Sequence, residues 1–294
     1  MEVVVQQVMN ALALGGTYAL LALGLSLVFS IMRLVNFAHG ELLTITGYAL
    51  FFLGAAGAPF PLMALGGVLI GALAAVAMER VAFRPFRGAS GSTLLLTSFA
   101  VAVIIQLSFQ NFVDPRGRSV PIPEWLRGAT SIFGFRVGVV QLVSFLITAI
   151  VLVLLTMFLR RTRLGLAVRA AAQDFDTTRL MGIRAQAVTA TVFAMSGILA
   201  GIAGVLWVTQ RTTVDPFMGL TPVLKAFIAV IVGGMGSLVG GVAAAFLLGF
   251  IEIMAQVFLP AQFQPLRDGI VWLIVIAVLL ARPSGLFASG RELT

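Results

Sequence analysis

What most constrains this chain is the length and purity of its apolar runs. Stretches that are almost wholly apolar fall at about 3–32, 42–57, 59–80, 91–113, 138–159, 185–210, 221–233, 238–259 and 268–281. A helix needs roughly 20 residues to cross the hydrocarbon of a bilayer, and most of these runs meet that length. Only 10% of the 294 residues are charged against 60% hydrophobic, too little polar surface for a soluble fold of this size, so lipid is the solvent for most of the chain. Backbone groups in lipid must be paired within a helix or a closed barrel, and these runs are too long and unbroken for the alternating strands of a barrel. The expected fold is therefore all-α: one polytopic transmembrane helical bundle over 1–294, with about nine spans (eight to ten). The seventh and ninth runs are short enough to be half-spans or broken helices.

The charges that remain set the expected orientation. Arg80, Arg84 and Arg87 share one connection, six arginines lie between 160 and 184, and Arg282 and Arg291 are in the tail. An alternating path puts all three groups on one side, which the positive-inside rule makes the cytoplasm. The N-terminus is then outside and the C-terminus inside. The net charge of +8 is read in the same way rather than as a nucleic-acid footprint, because the arginines cluster in short connections beside apolar runs. MEVVVQQ carries no base and lacks the basic start of a cleavable leader, so 3–32 is read as the first span. The opposite loop, 114–137, carries prolines, Trp125 and spaced apolar residues, and is expected to form a folded periplasmic cap that meets a soluble partner or covers the bundle.

Two places break the apolar runs. VNFAHGELLTITGY at 35–48 holds an asparagine, the chain's one histidine and a glutamate, and VIVGGMGSLVGG at 230–241 holds five glycines. Transporters unwind or closely pack helices at such places. Their comparable positions near the two ends of the chain point to an internal duplication. His39 and Glu41 are open to three readings: a structural hinge or cap, a part of a solute path, or a metal site. The metal is disfavoured, since one histidine and one nearby acid supply too few ligands. Lys225 and Glu252, the other charges inside apolar runs, either snorkel to an interface or meet a partner within the bundle. Small residues at four-residue spacing, at Ala11, Gly15 and Ala19, at Ser196, Ala200 and Gly204, and at Gly197 and Gly201, read as close helix packing.

Catalysis has little to work with. There is no cysteine, no G-x-S-x-G elbow, and Lys225 follows LTPVL rather than a phosphate-binding glycine loop. The chain is expected to be no enzyme, and any nucleotide-driven work would belong to a separate subunit. The stretch RRTRLGLAVRAAAQDFDTTRLMGIR, 160–184, then acquires a use. Its alanine-rich centre forms helix, Asp176 and Arg179 share a face, and Gly182 stands where a helix would stop. It reads as a short helix presented to a partner, with Ala170–Ala172, Phe175, Leu180 and Met181 as an apolar anchor inside a polar rim.

Over essentially its whole length the chain resembles the H-type permease subunits of ATP-binding-cassette importers for branched-chain and related amino acids. The resemblance rests on NFAHGELLTITGY at 36–48, RAAAQDFDTTRLMGIR at 169–184, LKAFIAVIVGGMGSLVGG at 224–241 and RPSGLF at 282–287. It implies a bacterial inner-membrane assembly with a second related permease, two cytoplasmic ATPase subunits that carry ATP and magnesium, and a periplasmic solute-binding protein. This chain would hold no cofactor. The 160–184 loop would be the coupling element, with Arg169, Asp174, Phe175, Asp176, Arg179, Met181 and Gly182 as its positions. The solute path or hinge would lie near Asn36, His39, Gly40, Glu41, Gly233, Gly234 and Gly236. Related permeases carry urea, amides or aromatic acids, and a self-contained passive channel is the alternative from another class.

Overall fold

The computed structural model describes residues 2–86, 88–132, 135–282 and 285–286. Arg87, Arg291, the side chain of Asp176 and the RPSGLF positions 283, 284 and 287 lie outside the described residues or side chains. The fold is all-α. Its helices are α1 (Glu2–Met32), α2 (His39–Ala55), α3 (Phe60–Met78), α4 (Gly91–Phe112), α5 (Glu124–Arg127), α6 (Val139–Arg161), α7 (Arg163–Gln173), α8 (Phe175–Leu180), α9 (Ala185–Arg211), α10 (Leu220–Gly233), α11 (Leu238–Phe258) and α12 (Arg267–Ala281). Each of the nine predicted apolar runs coincides with one of the longer helices. Six of them, α1, α3, α4, α6, α9 and α11, are long and apolar enough to cross a membrane.

Short polar signals mark the helix starts. Ser90, Thr162, Asp174 and Ser237 each accept a hydrogen bond from the backbone N–H three residues on, which satisfies one of the donors a helix leaves open at its N-terminus. The 114–137 stretch is folded. Strand β1 (Arg118–Ser119) pairs antiparallel with β4 (Thr213–Val214), and β2 (Ala129–Ile132) forms a hairpin with β3 (Phe135–Gly138). Val120, Ile122, Leu126 and Val137 are buried beneath it, while Trp125 stays exposed.

The centre of the bundle is the pair α1 and α9. Helices α2 and α3 pack together and onto α9, whereas α10 and α11 pack together and onto α1. Each half of the chain thus supplies a long helix to the other half's helix pair. Just beyond the end of α1, Asn36 and Phe37 reach Met78 at the end of α3 and Ser98 in the first half of α4. The end of α9 leads into β4, paired with β1 beyond the end of α4. The two long helices therefore run in opposite directions, and the two units form an inverted repeat.

This repeat has a different register from the one expected. One constant spacing relates Arg33 to Thr212, Val35 to Val214, Asn36 to Asp215 and Gly40 to Gly219. Arg33 and Thr212 are the two non-glycine residues with positive φ among the described residues, at 50° and 59°, and each ends a long helix. His39 N–H donates to the Asn36 carbonyl and Met218 N–H to the Asp215 carbonyl, both at 3.2 Å. The break at 35–40 thus answers 214–219. The glycines at 233–236 form the tight connection between α10 and α11, equivalent to the one between α2 and α3.

Candidate functional site

The two breaks meet at the middle of the bundle. A Cβ placed on Gly219 would stand 2.0 Å from the Gly40 carbonyl oxygen, and one on Gly40 would stand 2.6 Å from the Gly219 carbonyl oxygen. Only glycine allows this approach, so the first turns of α2 and α10 touch backbone to backbone. Phe37, just before α2, lies between Phe99 and Phe227, with ring centroids at 5.0 and 5.5 Å.

His39 and Glu41 lie deep within this centre and not at a water-reached span end, with relative exposures of 0% and 1%. They face opposite ways. His39 Nδ1 lies 3.1 Å from Ser196 Oγ on α9, and its ring presses on Gly24 of α1. Glu41 accepts from Gln106 Nε2 on α4 at 2.7 Å. They therefore do not form a pair, and no cluster of three or more metal-binding side chains occurs among the described residues. Asn36 Oδ1 and Tyr48 Oη are buried without hydrogen-bond partners among the described residues, unsatisfied polar atoms along one break and its helix. Gly233, Gly234 and Gly236 are placed at the far end of α10, away from the Gly40–Gly219 touch, with φ of 97° at Gly234 and 95° at Gly236.

A second cluster joins Lys225 and Glu252, for which the sequence left snorkelling and a partner within the bundle both open. The ammonium of Lys225, on α10, lies 2.6 Å from Glu252 Oε1 on α11 and 3.2 Å from Asp268 Oδ1 at the start of α12. Tyr18 of α1 donates its hydroxyl to Glu252 Oε2 at 2.9 Å. The Lys225 and Glu252 side chains are 6% and 7% exposed, whereas that of Asp268 is 51% exposed. Tyr18 and Asp268 carried no sequence signal, because a tyrosine in an apolar helix and an acid at a helix start are each ordinary.

At one end of the bundle, the 160–184 stretch forms two helices where one was expected. The chain turns at Asp174, whose side chain caps α8 by accepting from Thr177 N and from Thr177 Oγ1, at 2.9 and 2.6 Å. Gly165, Val168 and Ala171 pack α7 onto the bundle, and Gly182, with φ of 82°, terminates α8. Phe175 is half-buried against the protein's own core. Leu180 and Met181 remain, 87% and 79% exposed, next to the exposed Arg179; Arg169 is exposed on α7.

The family model described as a branched-chain amino acid transport system permease component matches residues 7–280. The chain is 32% identical to the high-affinity branched-chain amino acid transport system permease protein BraD of Pseudomonas aeruginosa, over 96% of this chain and 94% of that protein. It is 31% identical to the LivH permease protein of Escherichia coli, again over 96% and 94% of the two chains. Among solved structures, an inward-facing conformation of a metal-chelate type ABC transporter covers 94% of the chain and is itself 85% covered, with a TM-score of 0.51 at 16% identity, a likeness of fold. An inverted-repeat bundle with short helices meeting at its centre, matched end to end by permease sequences, places this chain in the family of branched-chain amino acid transport system permease components.

Proposed function

We propose that the chain forms half of the translocation path of an ATP-driven importer for branched-chain or related amino acids. The observation that carries this reading is the α7–α8 pair: a short, capped helical step between two spans of a transport permease, offering Leu180 and Met181 to water. Two adjacent large apolar side chains on a polar surface fit the hot spot of a protein contact. The arginines of 160–184 set that end in the cytoplasm, and the 114–137 cap then faces outward with the N-terminus. An ATPase subunit would grip α8, with Asp174 and Gly182 fixing the shape of the step and Arg169, Asp176 and Arg179 forming its rim. A solute-binding protein would deliver its ligand from the cap side. A second permease would complete the path, which would run past the Asn36–Glu41 and Gly219 region, where small groups gather and Asn36 Oδ1 is unsatisfied.

Motion follows from the same layout. ATPase closure would pull on α7–α8, which is packed on α6, α9 and α1, and so would move the two repeat units relative to one another. The test is to tag the chain, extract it in mild detergent from its own host and identify what stays bound. A second permease and two P-loop ATPases are expected; the chain alone, under conditions that hold a known complex, would overturn the importer. Leu180→Glu with Met181→Glu should lose the ATPases while the chain stays in the membrane. Orientation is checked by single cysteines at Arg118 and Asp176, which should react with an impermeant thiol reagent from opposite sides.

A further inference from the structure

The repeat spacing that relates Gly40 to Gly219 also relates Thr46 to Lys225. Both residues sit where a short helix crosses the other half's long helix, but the two crossings are closed by different means. At the first, the Thr46 hydroxyl donates to the Gly67 carbonyl at 3.3 Å, and the side chain fits among Gly71, Gly201 and Gly204. There α3 and α9 approach so closely that a Cβ on Gly201 would stand 2.9 Å from the Val68 Cα. This is a contact of backbone on backbone, with little room to slide. At the second, Lys225, Glu252 and Tyr18 fill the crossing with an ion pair and its hydrogen bonds.

The two carboxylates that share Lys225 are not equal. Glu252 is buried and held also by Tyr18, so separating it from the ammonium within the bundle is costly. Asp268 is half exposed, so its link to Lys225 is the weaker one. The surroundings permit the movement. An apolar crevice lined by Ala229, Val232, Leu248, Val275 and Val278 separates α10, α11 and α12.

We propose that Lys225 is a positioning residue of the transport cycle: it stays paired with Glu252 and alternately holds and releases Asp268. Helix α12 is thereby latched to and unlatched from the α10–α11 pair, while the α2–α3 pair stays fixed on α9. This rests on the importer reading for its purpose and on the geometry of the cluster for its mechanism.

The test has one arm for each. Cysteines replace Ala229 and Val275, which face the crevice from α10 and α12, in a chain with no cysteine of its own. In the complete complex in proteoliposomes, bridging them with a short cleavable thiol crosslinker should lower ATP-driven uptake about tenfold, within the usual range of a coupling free energy. Reductive cleavage should restore it. Uptake unchanged by the bridge overturns the latch, whereas an unbridged complex that moves no solute overturns the importer reading. The second arm needs no transport. With spin labels at the same two positions, the distance distribution should broaden when Lys225→Met, Glu252→Leu and Tyr18→Phe are made together, a swap that keeps the crossing packed, leaves no buried hydroxyl without its acceptor and removes the ammonium that faces Asp268. Lys225→Arg should keep it narrow. A distribution unchanged by the triple substitution overturns the latch whatever the uptake assay gives.

Discussion

At the scale of single residues, the two kinds of charge in this protein respond to substitution in different ways. Lys225 and Glu252 are buried, and removing either leaves the other charge in the bundle with weaker partners, Asp268 for Lys225 and Tyr18 for Glu252. Lys225→Met or Glu252→Leu alone should cost about 3–5 kcal/mol of stability, while Lys225→Met, Glu252→Leu and Tyr18→Phe together should be nearly neutral. Thermal or denaturant unfolding of the purified chain in detergent measures the difference. Asp114, in the loop after α4, is the opposite case. Its carboxylate accepts from the Arg116 backbone N–H at 2.8 Å and pairs with the exposed Arg118 guanidinium. The backbone hydrogen bond first, and the nearby arginine charge second, lower its pKa below the ordinary aspartate value. A depressed folded-state pKa stabilises above the unfolded value, and that contribution is lost as pH falls through the folded one. The Arg116 amide should thus be protected from hydrogen exchange at neutral pH and lose protection in acid; Asp114→Asn should flatten that dependence.

At the scale of elements, the glycine contacts decide which helices can move. Gly219→Ala would drive a Cβ into the Gly40 carbonyl, and Gly249→Ala would meet the Gly15 Cα at 2.5 Å. Each should destabilise by about 1–3 kcal/mol, as overpacking does. Gly269→Ala in α12 meets nothing within 4 Å and should be neutral or slightly stabilising. The same unfolding measurement ranks all three. The helices themselves were legible in the sequence because span length and apolarity are local properties. The repeat register was less so. Glycine density drew attention to 233–241, whereas the true correspondence rests on a valine, an asparagine or aspartate, and one glycine in each unit. Its strongest sign, a left-handed residue ending α1 and α9, falls on Arg33 and Thr212, types that carry no sequence signal for that conformation. The α7–α8 step was legible in outline. Its turn at Asp174 and the inward packing of Phe175 depend on the surface beneath it.

At the scale of the whole molecule, the partners of buried polar groups were the hardest feature to read. Lys225 and Glu252 stood out as charges in apolar runs, but their cluster draws on four helices, and His39 and Glu41 look like a pair in sequence yet face α9 and α4. Pairing of this kind belongs to the tertiary crossing and has no local signature. The exchange of long helices between the two halves has a consequence for how the protein is made. Helices α2 and α3 leave the ribosome well before α9, the helix whose glycines receive them. At the usual rate of synthesis that interval is on the order of ten seconds. During it Val68 and Gly71, which Gly197 and Gly201 of α9 later cover, face lipid or the insertion machinery. The nascent first half must therefore be held open in the membrane until the second half arrives, and a chain that stalls between α4 and α9 presents a surface that quality-control proteases can recognise.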